Sequence, residues 1–256
     1  MRSLLAFAVA AALGAPLAAT AADAPAPTKP LRQLVYDVAY SARSTHEMKT
    51  SGLNSGYGGS GGGTDANPGS SGSGATSLMT NGDDRGKLSI DVIAATADGG
   101  LVVDTWFTGT RNVQPSTRVA IFADGRFSVD PAHPLAPEAV RILPLIARGF
   151  IANRDVSPGS SWTVPAPSPL KGSTTYRVQS TDGQRALIAI EAVLAVPGPN
   201  GFDEVDRGTT TYATDLVSPL SYDLTARIHR VLGIDQSMTT NAHITATLVS
   251  DSFPRK

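Results

Sequence analysis

The chain contains no cysteine among its 256 residues. That excludes disulfides, thiolate metal sites and a lipid anchor on a cleavage-site cysteine. Charge is sparse and balanced, with 21 Lys and Arg against 22 Asp and Glu. No Lys/Arg-rich run occurs, so the chain lacks the basic footprint of nucleic-acid binding and the polybasic patch that seeks anionic membranes. Aromatic residues make up 6% of the chain, little for a sugar-binding cleft. Beyond the first twenty residues no apolar stretch approaches the roughly 20 residues of a membrane-spanning helix.

What is present begins with a secretory pattern. Arg2 precedes the apolar run LLAFAVAAALGAPLAA, and Ala19-Thr20-Ala21 supplies the small residues of an A-x-A cleavage site. The expected cut falls after Ala21, since a cut after Ala24 would leave Pro25 first. Residues 1–21 are therefore expected to be a signal peptide, and the mature protein a soluble one of the bacterial periplasm or exterior, with no membrane anchor. Residues 22–31 (ADAPAPTKPL) form a proline-rich spacer. One domain is expected over 32–253. The stretch 51–77 interrupts it with ten glycines and seven serines, too little apolar surface to offset the entropy of ordering, and it is expected to be a disordered loop.

The rest alternates with the period of a sheet. Leu34, Tyr36, Val38 and Tyr40 share one strand face, and Leu88, Ile90 and Val92 repeat the pattern. Asp98-Gly99, Asp124-Gly125 and Asp182-Gly183 each lie between alternating apolar runs, the strongest short-range signal of a hairpin. Further strands fit 205–213, 221–231 and 241–250. Residues 137–153 break the period: Val140, Leu143, Ala147, Phe150 and Ile151 recur at helical spacing. Pro137 suits the first turn and Glu138 its positive end. Pro144 removes a backbone donor and clashes with the preceding turn, so the spacing predicts a kinked helix or two short ones meeting near Leu143. The predicted fold is all-β to α+β, a strongly curved antiparallel meander, half-barrel-like, with one proline-kinked helical segment packed on it.

Chemistry-bearing motifs are few. Gly58-Gly59-Ser60-Gly61-Gly62 matches the G-x-S-x-G nucleophile elbow in letters only, because no strand leads into it and no helix follows. The same glycines lack the GK[ST] ending of a phosphate loop. No two of His46, His133, His229 and His243 stand three to five residues apart, so no local metal pair exists. His229 and His243 could meet across neighbouring strands, with Asp223 and Arg227 on the face of His229. Asp203, Glu204 and Asp206 lack the spacing of a calcium loop and read as an exposed acidic turn. No catalytic residue, metal or cofactor is expected.

Pro158-Gly159-Ser160-Ser161-Trp162 reads as a turn that launches a strand. With the order strands, one helical segment, more strands, this turn-plus-tryptophan entry resembles exported bacterial domains with a lipoprotein-carrier-like half-barrel. The resemblance implies a long antiparallel sheet wrapped partly around a helix, with an apolar concavity between them. Val140, Leu143, Phe150 and Ile190 are the residues expected to line such a pocket, and an apolar or amphipathic, lipid-like molecule the ligand. The alternatives are a structural or protein-interaction module of the cell envelope, in which the helix fills the sheet, and a hydrolase-type enzyme centred on His229 or His243.

Overall fold

The computed structural model describes residues 29–49, 75–128, 135–152, 154–166, 171–198, 201–233 and 235–253. The signal segment, most of the spacer, residues 51–74 of the Gly/Ser tract including Ser60, and His133 lie outside the described residues.

Among the described residues, eleven strands form one open antiparallel sheet: β1 (Arg32–Lys49), β2 (Ala75–Ala95), β3 (Leu101–Gly109), β4 (Val113–Ile121), β5 (Phe127–Ser128), β6 (Ser161–Pro165), β7 (Lys171–Asp182), β8 (Arg185–Val196), β9 (Phe202–Ala213), β10 (Ser218–Gly233) and β11 (Gln236–Asp251). Their spatial order is β5-β4-β3-β2-β1-β11-β10-β9-β8-β7-β6. Two meanders thus run outward from a central pairing of β1 with β11, where Tyr40 stands opposite Ile244. Each Asp-Gly turn falls where the alternation placed it. Gly99, Gly125 and Gly183 all hold the positive φ that a tight hairpin demands of its glycine.

Two strands are longer than their apolar alternation indicates. β1 runs on from Ala42 to Lys49, and β2 begins at Ala75, so 75–77 belong to a strand and not to the loop. The polar sequences there pair in unbroken register, from Ala42 opposite Gly82 to Lys49 opposite Ala75. A ladder needs backbone donors and acceptors and tolerates any side chain that can face water.

Glycines let the sheet bend. A Cβ on Gly208 of β9 would lie 2.1 Å from the Asp223 carbonyl oxygen of β10, and one on Gly86 of β2 would lie 2.2 Å from that of Thr108 in β3. Only glycine permits such close backbone approach, and the curvature turns one face of the sheet into a trough.

The trough is filled from residues 137–150. α1 (Pro137–Ile142) takes proline at its start and Glu138 in its first turn, and ends where Pro144 would cost the next helical hydrogen bond. Tighter 3-10 turns follow at Leu143–Ile146 and Arg148–Phe150, with Ala147 extended between them. The helix therefore breaks at Leu143, as the proline requires. Ile142, Leu143 and Leu145 are fully buried against Leu34, Tyr36, Leu88, Ile90 and Val103 from one wing and Ile188, Tyr212 and Leu224 from the other. Phe150 closes the far end, edge-on to Trp162 and Tyr176 at ring separations of 5.5 and 5.0 Å. Trp162 is held there by the turn before it: Gly159 has positive φ and donates its N–H to the Val178 carbonyl at 2.8 Å.

Candidate functional site

Among the described residues, three polar contacts fasten this plug to the sheet and to the turn between β4 and β5. The Tyr212 hydroxyl donates to the Leu145 carbonyl at 2.9 Å, and the Gly149 N–H to the Ala123 carbonyl at 3.0 Å. The third is ionic. Arg141 projects from α1 onto β9, where alternation places Glu204 and Asp206 on the trough face one pleat apart. Its Nη2 bonds Glu204 Oε1, and its Nε lies 3.4 Å from Asp206 Oδ2. Glu204 and Asp206 are buried in a strand, which corrects the expectation that the acidic cluster is an exposed turn. Their burial follows from the partner: a carboxylate leaves water when a guanidinium meets it.

One guanidinium faces two carboxyls. Burial opposes the charge on Arg141, but Asp206 and Glu204 more than restore it, and its pKa lies above the ordinary arginine value. Burial pushes the Asp206 carboxyl up to about 7, with Arg141 opposing the shift and Glu204 adding to it. One guanidinium can balance the charge of only one of the two carboxyls. Glu138, one turn earlier, is also raised by burial, and its Oε2 has no hydrogen-bond partner among the described residues.

The residues expected to line an apolar pocket lie around this plug. Leu143, Phe150 and Ile190 belong to the buried core, and Val140 is half-buried against it. Phe150 touches Tyr176, whose cross-strand neighbour is Ile190, so these two are brought together. Between β2–β4 and the start of α1, the hollow bounded by Leu88, Phe107 and Ala139 has no room for a water molecule.

The histidines do not converge. His243 stands across from Thr225 and bonds Asp223 at 2.9 Å, whereas His229 stands across from Thr239 and bonds its hydroxyl at 3.2 Å. Four residues of strand separate the two, roughly 13 Å. Among the described residues no group of three His, Asp or Glu side chains could hold a metal ion. No described helix is long and apolar enough to cross a membrane.

A roomier hollow lies on the opposite face of the sheet. It is an open depression of about 630 Å³ over β1, β11, β10 and β9. Its side chains come from two cross-strand rows: Ser41, His243, Thr225 and Arg207, then Arg43, Asn241, Arg227 and Val205. Alternation puts all eight on the face away from the plug. No alternation rule singles out such a place, because it depends on which strands become neighbours.

The fold and its latch define an open antiparallel half-barrel, plugged from within by a short helical segment. No family model matches the chain, and no curated protein matches it. Among solved structures it is similar to lipovitellin, described for its lipid–protein interactions, with a TM-score of 0.44 and 11% identity. That match covers 90% of this chain and 26% of lipovitellin.

Proposed function

We propose that the protein is a non-catalytic interaction module of the bacterial cell envelope, and that its working surface is the face of the sheet turned away from the plug. The observation that carries this reading is where the room lies. Ile142, Leu143 and Leu145 are fully buried in the trough, while the 630 Å³ hollow opens on the other side, lined by polar side chains together with Val205, Ala42, Ala226 and Ala242. Export rests on the residue pattern at 2–21, with cleavage after Ala21.

A second reading has an observation of its own. The plug covers its apolar trough with three short helical turns interrupted at Pro144 and Ala147, and hinges sit at such interruptions. In that reading the plug swings aside and an apolar or amphipathic, lipid-like ligand takes its place, as in a lipoprotein-carrier-like half-barrel.

Native mass spectrometry on protein recovered from the export compartment separates the two, together with titration by an apolar fluorescent dye. The first reading expects a ligand-free mass beginning at Ala22 and no saturable dye binding. A co-purifying lipid displaced by the dye would overturn it in favour of the second, and an intact Met1 would overturn export.

A further inference from the structure

We propose that the outer hollow is an anion site, built to take a ligand carrying two or more phosphate groups on the guanidiniums of Arg43, Arg207 and Arg227. This rests on the reading that the outer face is the working surface.

The register creates the site. Arg43 on β1 and Arg227 on β10 stand on either side of one residue, Asn241 of β11. Two strand spacings separate them, about 10 Å. Arg207 on β9 is the diagonal neighbour of Arg227, since Val205 is opposite Arg227 and Thr225 opposite Arg207. All three side chains are exposed, and none has an ion pair among the described residues.

Elsewhere on the sheet, some cations pair with a carboxylate they face, although Arg185 opposite Asp182 does not. Lys87 reaches Asp37 at 2.9 Å, and Arg118 forks onto Asp104 at 2.8 and 2.9 Å. Across from Arg43 stand Asn81 and Asn241, and across from Arg227 stand Asn241 and Val205. The lining of the hollow contains no carboxylate. The acids that come nearest by register keep to its rim: Asp83 beside Ser41, Glu191 opposite Arg207, Asp203 opposite His229, and Asp223 held by His243.

The three guanidiniums make no ion pair with the acids that flank them, so an anion seated between them supplies charge-assisted hydrogen bonds they otherwise lack. The guanidinium fork matches phosphate oxygens in pairs, and Ser41, Thr225 and Asn241 add neutral donors on the same two rows. The span from Arg43 to Arg227 favours ligands with separated charges over a single ion. Phosphorylated lipid headgroups and soluble oligophosphates share this chemistry.

The test is calorimetric titration of the purified protein with tripolyphosphate and with orthophosphate, beside co-sedimentation with phosphatidylglycerol and phosphatidylcholine vesicles. Tripolyphosphate is expected to bind at least tenfold more tightly than orthophosphate. Arg43→Gln and Arg227→Gln should each weaken it about tenfold, the loss of one charge-assisted contact, and the double variant about a hundredfold. Arg227→Lys should recover part of the loss. Arg177→Gln should change nothing, because Arg177 is exposed on the same face with Ser161 and Ala189 beside it. Vesicle binding that needs phosphatidylglycerol and falls in the double variant would assign the phosphate to a lipid headgroup; binding of tripolyphosphate alone would assign it to a soluble ligand. The inference is overturned if neither binds, if the double variant binds as wild type, or if Arg177→Gln weakens binding as much as Arg227→Gln. Such a failure leaves the ligand-free trough untouched. A lipid under the plug would defeat the interaction-module reading whatever the outer face binds.

Discussion

Arg141 and Arg227 sit on opposite faces of one sheet, and their surroundings give the same guanidinium opposite uses. Arg141 is 15% exposed and faces two carboxyls, so its charge is spent on holding the plug. Arg227 is exposed, has no carboxylate across either ladder and makes no ion pair among the described residues, which is why the proposed anion site is placed on it. The difference lies in what the neighbouring strand supplies: β9 turns Glu204 and Asp206 inward and Val205 and Arg207 outward.

Arg141→Ala is the severest way to break this comparison. It strands two buried carboxyls, and chemical denaturation should show a loss of about 3–5 kcal/mol, the usual cost of removing one partner of a buried pair. Leu143→Ala and Phe150→Ala come next, at about 2–5 kcal/mol each, because both are buried in the core. A loss under about 1 kcal/mol at either position would show a plug that is loosely seated. Asp206→Asn sharpens the ionic half. The native Asp206 carboxyl titrates at about 7, against 3.8 for its ordinary value, so between those limits the folded state holds a proton the unfolded chain has released. Stability should therefore fall as pH rises from about 4 to about 7, in melts across that range. The Asn variant should flatten the slope, and an unchanged slope would place the titrating group elsewhere. Arg227→Gln is the smallest effect, within about 0.5 kcal/mol of wild type, as befits an exposed side chain without partners.

Much of this fold was legible in the residues, and the exceptions share a cause. Asp98-Gly99, Asp124-Gly125 and Asp182-Gly183 turn where their letters say, because a hairpin turn is a local demand on φ. Pro144 breaks the helix where its ring must. Asn81-Gly82-Asp83-Asp84 has the composition of a turn yet lies inside β2, since β1 offers it a continuous ladder from Arg43 to Tyr40. The latch was illegible for the same reason: Arg141 and Glu204 are separated by 63 residues, and burial of the acids depends on that encounter. The hollow on the outer face needs four strands, and its first and last contributions, Ser41 and His243, come from near opposite ends of the domain.

The central join of β1 with β11 also sets the order in which the chain can assemble. Every other pairing joins strands consecutive in sequence, so either wing can begin from local hairpins. The join brings together residues about two hundred positions apart, and its loop-closure entropy has to be met before its contacts form. Until β11 has been synthesised, β1 carries one unpaired edge and the trough lacks its middle. A chain emerging from the ribosome can form the hairpins of either wing early, but it cannot close the sheet across its middle until β11, the last of the described strands, is made.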